Sequence, residues 1–348
     1  MKNRRPAKNY KIMLPLLLVL SSLLQACSGT ASPEGASLKA GEDLTSMRQE
    51  AEAQQQKIQK GRFLIGASQT NFAEPWRAVA NDQLKSAAAK YPELELVISD
   101  GAQDNNRQIS DIEGFIQKNV DLLMVSPNEA KPLTDVVTKA YNSGIPVILM
   151  DRKIEGDSYT QYIGADNVMI GRKCGEWAAA YLGEKGGNIV EIMGSIGTSA
   201  QKERHEGFLQ GLSKNPRAKI IDSQSSDWLR DKAIVVMEQM LKSHEKIDLV
   251  FSHNDPGAEG AYTSAKNSGR AQEMKFMGID ALPTPDGGIM SVLEGRIDVT
   301  YLYPTGSREA VESAYKLLVK KEPLQKVIML DTVEITKENA RQVYEQLK

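Results

Sequence analysis

Cysteine is nearly absent: 348 residues carry two, Cys27 and Cys174. That excludes a disulfide-stapled scaffold and any cysteine-rich metal site. Histidine is almost as scarce. His205, His244 and His253 are the only three, and their spacing matches no metal-ligand pattern. Charge of one sign is missing too. The formal net charge is -2, which speaks against a nucleic-acid binder, whose domain normally carries a basic excess or stripe. The G-x-S-x-G elbow, the G-x-x-x-x-G-K-[ST] phosphate loop and the G-x-G-x-x-G fingerprint do not occur. The glycines of "GSIGTS" serve a loop that turns into a helix. An enzyme is therefore not expected, and neither a catalytic residue nor a cofactor is assigned.

What is present is ordinary for a folded globular chain, 41% hydrophobic and 25% charged residues. The length suits two domains better than one. The N-terminus stands apart. "MKNRRPAKNYK" is basic, "IMLPLLLVLSSLL" is apolar, and "QACSG" closes the run with small residues. This is the pattern of an export signal over residues 1-26, short of the ~20 apolar residues of a membrane span. "LQAC" resembles the bacterial lipobox, with Gln25 unusual inside it. On that reading Cys27 is lipidated and tethers the chain to a membrane. The alternative is plain cleavage near Ala26 with Cys27 a chance thiol. Residues 27-60 read as a tether. "SGTASPEGAS" is linker-like, and "EDLTSMRQEAEAQQQKIQK" favours helix with a thin apolar face. Cys174, then without a partner, is expected to be a small buried hydrophobe.

From Arg62 onward, short apolar runs alternate with helical patterns. Eleven strands are expected, from "RFLIGAS" to "VIMLDTV". Short, fully apolar strands separated by helices imply parallel sheets covered on both faces. The count exceeds one tidy sheet, so two doubly wound α/β lobes are expected. "DLLMVSPNEA" in the first half parallels "DLVFSHNDPGAEGA" in the second, as internal duplication would produce.

Ligands of open α/β sheets bind outside the carboxyl ends of the strands. At those ends stand Gln69, Phe72, Trp76 and Arg77, then Asp100 and Asp104, then Asp151 and Arg152. In the second half stand His253, Asn254, Asp255 and Asp280, with Arg204 in the helix after "GSIGTS". Each has a modest reading. Asp-Arg is often a surface ion pair, Asp255 and Asp280 could cap helices, and a lone Trp usually fills the groove between helix and sheet. Together they form a kit for a polyhydroxylated ligand. Carboxylates and bidentate guanidiniums fix hydroxyl directions, and an indole face covers the C-H face of a sugar ring. Pro75 suits the first turn of a helix, which would set Trp76 and Arg77 at a helix start beside a strand end.

"MDR", "GTSAQKERHEGF", "SSDWLRDKA", "HNDPGAEGA" and "GIDALPTPDG" resemble, in order and spacing, the type I periplasmic solute-binding proteins of sugar ABC transporters, the ribose-binding-like family. The resemblance runs from Arg62 to the C-terminus. Trp76-Arg77, preceded by "SQ" and followed later by "QSSDW", is most similar to the galactofuranose-binding branch. It implies two doubly wound parallel-sheet lobes joined by three crossings, near Ala165, Tyr303 and Thr332. The lobes would be 61-165 plus 304-331 and 166-303 plus 332-348. It implies a monosaccharide ligand, an aldose with the furanose ring as one candidate form, a permease partner, a monomer and no nucleic acid. A membrane receptor or sensor kinase is the alternative partner, and an enzyme on the same fold a more distant one. The implied ligand residues are Gln69, Trp76, Arg77, Asp151, Arg152, Arg204, Trp228, Asn254, Asp280 and Tyr303. Trp228 could instead serve packing. Many family members place Gln or Glu near the end of "DVTYLY". Here Leu302 and Tyr303 stand there, so one hydroxyl contact is lost or passes to a phenol.

Overall fold

The computed structural model describes residues 61-348. The expected export signal, Cys27 and the tether lie outside them. The first half runs β1(Phe63–Gln69), α1(Pro75–Ala88), β2(Leu94–Asp100), α2(Asn105–Gln117), β3(Leu122–Val125), α3(Ala130–Asn142), β4(Val147–Met150) and β5(Gln161–Ala165). The second runs α4(Asn167–Leu182), β6(Gly187–Met193), α5(Ser199–Leu212), β7(Ala218–Ser225), α6(Arg230–Ser243), β8(Leu249–Ser252), α7(Asp255–Asn267), β9(Lys275–Met277), α8(Gly288–Leu293) and β10(Val299–Tyr301). The C-terminal part adds α9(Ser307–Tyr315), β11(Val327–Leu330), β12(Glu334–Thr336) and α10(Ala340–Leu347).

Two six-stranded sheets result, ordered β11-β5-β4-β3-β1-β2 and β12-β10-β9-β8-β6-β7. The strand order of the two is the same, with the last strand parallel in the first sheet and antiparallel in the second. The chain passes between sheets after β5, after β10 and after β11. β3 and β4 are buried at every residue, as central strands covered on both faces must be. β2, at the edge, mixes buried with exposed positions. The sequence reading missed β12. It has three residues and pairs antiparallel with β10, so it lacks both the length and the apolar run that mark the parallel strands.

In each sheet the strand order reverses beside the first strand, between β1 and β3 and between β6 and β8. Such switch points open a crevice at the carboxyl ends. The loops after β1 and β6 therefore enter the space between the lobes. α5 lies unusually close to α4. A Cβ on Gly171 would sit 2.2 Å from the Arg204 carbonyl oxygen, and one on Gly207 would sit 2.1 Å from that of Val168. Only glycine permits this approach, and it fixes the helix that carries Arg204.

Candidate functional site

Asn71 begins the site. Its Oδ1 accepts from the backbone N-H of Ala73 at 3.0 Å and of Glu74 at 3.1 Å, and its Nδ2 donates to Glu74 Oε1 at 2.5 Å. This side-chain turn ends in Pro75, which opens α1. Trp76 and Arg77 thus stand on the first turn, beside the end of β1. Trp76 donates its indole N-H to the Tyr303 carbonyl at 2.9 Å, so the ring is pinned to a crossing between lobes. Arg77 donates to Ser126 Oγ at 2.8 Å and to Asp151 Oδ2 at 2.5 Å. Arg152 donates to the Asn128 carbonyl at 3.0 Å.

The second lobe contributes Arg204, whose Nε donates to Asn167 Oδ1 at 2.8 Å and whose Nη1 donates to the His253 carbonyl. His253 is anchored in turn by Glu191, Nε2 to Oε1 at 3.0 Å. Glu191 also receives His205 Nδ1 at 2.8 Å and Ser223 Oγ at 2.8 Å. Asn254 caps α7 through the Gly257 N-H and donates to the Trp228 carbonyl at 3.0 Å. The Trp228 ring lies between two guanidiniums from opposite lobes, Arg152 at 5.4 Å and Arg204 at 5.5 Å. Gly194 makes room for it: a Cβ there would meet Trp228 Cζ2 at 2.1 Å.

These groups line one cavity between the lobes. Nine of the ten residues expected from the sequence line it, five from the first lobe and its crossing and four from the second. Gln69 does not. It is the last residue of β1, buried, with its backbone held in register against Asp100, and the chain reaches the cavity only at Glu74. Phe72 is exposed and outside the lining. Asp104 caps α2 and Asp100 caps its own turn through the Ala102 N-H. Asp255 is no cap. Its carboxylate accepts from the Ala281 N-H at 2.7 Å and from Thr300 Oγ1 at 2.6 Å. Glu74 and Ala200 were missed. For Glu74 the signal was available, an Asn three residues ahead and a Pro directly after.

The electrostatics follow from burial. Burial alone would raise the Asp151 carboxyl, but Arg77, Arg152 and Arg204 outweigh it and hold it below its ordinary range. Arg152 is pushed down to about 10, first by burial and then by Arg77. Asp280 makes no side-chain hydrogen bond among the described residues. Burial, then the Asp255 charge, raise it well above the usual carboxylate range. Asp255 is raised to about 7, chiefly by burial. Three site residues hold positive φ without being glycine: Asp151 at 64°, Trp228 at 69° and Asp280 at 132°. Backbone of that kind persists only where its surroundings enforce it.

Several buried donors have no hydrogen-bond partner among the described residues: Arg77 Nε, the Trp228 indole N-H and Arg152 Nε, which lies 3.7 Å from Asp151 Oδ2. With the Asp280 carboxyl they offer both donors and acceptors to a polar guest. The Tyr303 hydroxyl is already engaged, with Asn167 Nδ2 and the Asp151 carbonyl each at 3.3 Å. No group of three His, Cys, Asp or Glu among the described residues is arranged to hold a metal. Cys174 is buried, and burial raises its thiol well above the usual range.

Residues 65-322 match the family described as periplasmic binding protein domain. The galactofuranose-binding protein YtfQ of Escherichia coli K12 is 34% identical over 59% of this chain and 66% of its own length. The solved fructose-binding periplasmic domain of the hybrid two-component system BT1754 is 42% identical, with a TM-score of 0.79, covering 82% of this chain and 94% of that one. A Mycobacterium smegmatis protein solved with β-D-fucofuranose is 32% identical, with a TM-score of 0.76, covering 81% and 93%. All three are described by the sugar they bind. The chain belongs to the periplasmic binding protein family, in its type I sugar-binding branch.

Proposed function

We propose that this protein is a lipid-anchored extracytoplasmic receptor that captures one monosaccharide, in its furanose form, and delivers it to an ABC transporter permease. The observation that carries the reading is the closed cavity. Three guanidiniums, three carboxyl groups and two indoles converge there from both lobes, and the unpaired N-H groups call for a guest rich in hydroxyls. Two of the three proteins above carry furanose ligands in their names. Trp76 is the stacking plate, Arg77, Arg152 and Arg204 are donors, and Asp151 and Asp280 orient hydroxyls. The anchor is Cys27. The mature wild-type protein should carry a diacylglycerol mass, and Cys27→Ala should be released from membranes.

A second reading rests on the sensor domain at 42% identity: the same capture event, read by a membrane sensor in place of a permease. Isothermal titration against D-fructose, D-galactose, L-arabinose, D-ribose, D-glucose and myo-inositol tests the ligand class. Binding of a sugar that populates furanose rings, with D-glucose and myo-inositol inert, is expected. Preference for myo-inositol or D-glucose would overturn the furanose assignment. Reconstitution with a permease or with a sensor then separates the two partners.

A further inference from the structure

Two cavity arginines have neighbours in the chain that meet each other outside the cavity. Lys153 follows Arg152, and Glu203 precedes Arg204. Lys153 Nζ lies 2.7 Å from Glu203 Oε1, and the Lys153 backbone N-H donates to Ser199 Oγ at 3.0 Å. Lys153 belongs to the first lobe, while Ser199 and Glu203 open α5 in the second. No other ion pair among the described residues joins the two lobes. Neither side chain lines the cavity. The pair is part-exposed, 38% for Lys153 and 19% for Glu203, and the ammonium also lies 5.1 Å from the centre of the Tyr162 ring.

We propose that Lys153 and Glu203 form an affinity-setting clasp, a positioning pair that fixes how readily the lobes close without touching the sugar. The inference rests on the reading of the cavity as a sugar site that closes around its guest. The clasp exists only when the lobes are together, so it contributes to the closed state alone. A ligand that needs the closed state binds with an apparent constant divided by the fraction closed. Removing the clasp therefore weakens binding through the conformational equilibrium. Because the sugar enters the open cleft and the clasp forms only as the lobes close over it, the loss falls on the dissociation rate, and the association rate stays as it was. The attachment also explains why these charges sit one residue from Arg152 and Arg204: the clasp and the ligand donors move as one piece.

The test uses Lys153→Met, Glu203→Gln, the double variant and the swap Lys153→Glu/Glu203→Lys in the full chain. Small-angle scattering of the unliganded proteins reads the closed fraction directly, independent of which sugar binds. Stopped-flow fluorescence with D-fructose as probe reads the rates. Each single variant should dissociate about 2- to 5-fold faster, as expected of a part-exposed ion pair. The double variant should be no worse than either single one, and the swap should recover most of the loss. High salt should bring wild type toward the variants. Scattering should show the unliganded variants more open, with melting temperatures unchanged. Scattering profiles identical to wild type at low salt would overturn the clasp even if D-fructose failed to bind. Additive single effects with no recovery in the swap would overturn it equally. If scattering shifts as expected while D-fructose and the other sugars do not bind, the clasp stands and the sugar assignment fails.

Discussion

Arg204→Met is the most informative substitution in the cavity, because it separates two jobs of one side chain. The guanidinium is 3% exposed. It satisfies Asn167 Oδ1 at 2.8 Å and the His253 carbonyl, and it lies 4.7 Å over the Tyr303 ring and 5.5 Å from that of Trp228. Methionine keeps most of the volume and removes every donor. Two buried acceptors lose their partner, at about 1-3 kcal/mol each, so the unliganded protein should lose about 2-6 kcal/mol. For a chain of this size that is a fall of roughly 5-15 °C in melting temperature. Binding loses a charged donor in a desolvated site, about 2-5 kcal/mol, which is at least about 30-fold in affinity. Arg204→Lys restores the charge and one bond but not the fork. It should recover much of the stability and little of the affinity. Calorimetric melting and isothermal titration on the same preparations measure both. An Arg204→Met protein that melts within about 1 °C of wild type and binds within about 3-fold, below one tenfold step of 1.4 kcal/mol, would show that neither the bonds nor the charge matters.

Trp76→Phe keeps a ring but deletes the N-H that holds the Tyr303 carbonyl at 2.9 Å. It should weaken binding and shrink the sugar-induced fluorescence change, leaving Trp228 as the cavity reporter. Trp177 stacks on Tyr181 in α4 and should stay silent. Gly194→Ala places a methyl group 2.1 Å from Trp228 Cζ2. The indole must leave its place between Arg152 and Arg204, so affinity should fall more than about 10-fold, with the near-ultraviolet dichroism of Trp228 altered. Stability should depend on pH in two windows. Asp255 is raised from its ordinary 3.8 to about 7, so the folded state holds a proton that the unfolded state releases. Its favourable effect is complete below the ordinary carboxylate range and is lost as pH rises toward about 7. Glu191 is held at about 2 despite its burial, by His253 and His205. Its contribution is complete above the ordinary range and is lost as pH falls toward 2. Asp255→Asn should flatten the upper slope in thermal melts from pH 4 to 8, and an unchanged slope would remove Asp255 as its source.

Much of this architecture was readable because doubly wound sheets write themselves plainly. Central strands such as "LLMV" and "VILM" are buried on both faces, and nothing but apolar residues fits there. The carboxyl ends of those runs singled out Arg77, Asp151, Arg152, Asn254 and Asp280, and the helix after "GSIGTS" added Arg204; all six line one cavity. The misses have physical causes. β12 is a three-residue antiparallel edge whose partner lies 33 to 37 residues back in the chain, so its pairing is tertiary. Gln69 stands at a strand end like the others, but the chain needs the Asn71 turn before it meets the cavity. Glu74 was passed over for the more conspicuous Trp76. The Lys153-Glu203 pair is invisible in the sequence because it is created by two lobes meeting.

The closed cavity also accounts for why closure needs a guest. Bringing the lobes together buries Arg77, Arg152 and Arg204 to 3% exposure or less, which is costly for any cation whose hydrogen bonds are incomplete. Asp151 balances Arg77 directly, and carbonyls and amides hold most remaining N-H groups. Three donors are left over: Arg77 Nε, Arg152 Nε and the Trp228 indole N-H. In an open cleft water would satisfy them. In the closed one each costs about 1-3 kcal/mol until something accepts from it. The carboxyl of Asp280 adds to the same side of the balance, raised by burial and by the Asp255 charge behind it. Against these stand contacts between lobes that include the Lys153-Glu203 pair, the bond from the Lys153 N-H to Ser199 Oγ at 3.0 Å, that from Gln103 Nε2 to the Asp227 carbonyl at 3.3 Å and that from the Ala130 N-H to the Gly197 carbonyl at 3.1 Å. These are polar, largely exposed to competition from water, and worth little apiece. These contacts do not outweigh the unmet donors, so the lobes have no strong reason to stay shut alone. A ring of hydroxyls that satisfies three donors and one carboxyl at once tips the balance by several kcal/mol, and it does so only in the closed state. The polar groups that make the cavity selective are therefore the same ones that make closing depend on its occupant.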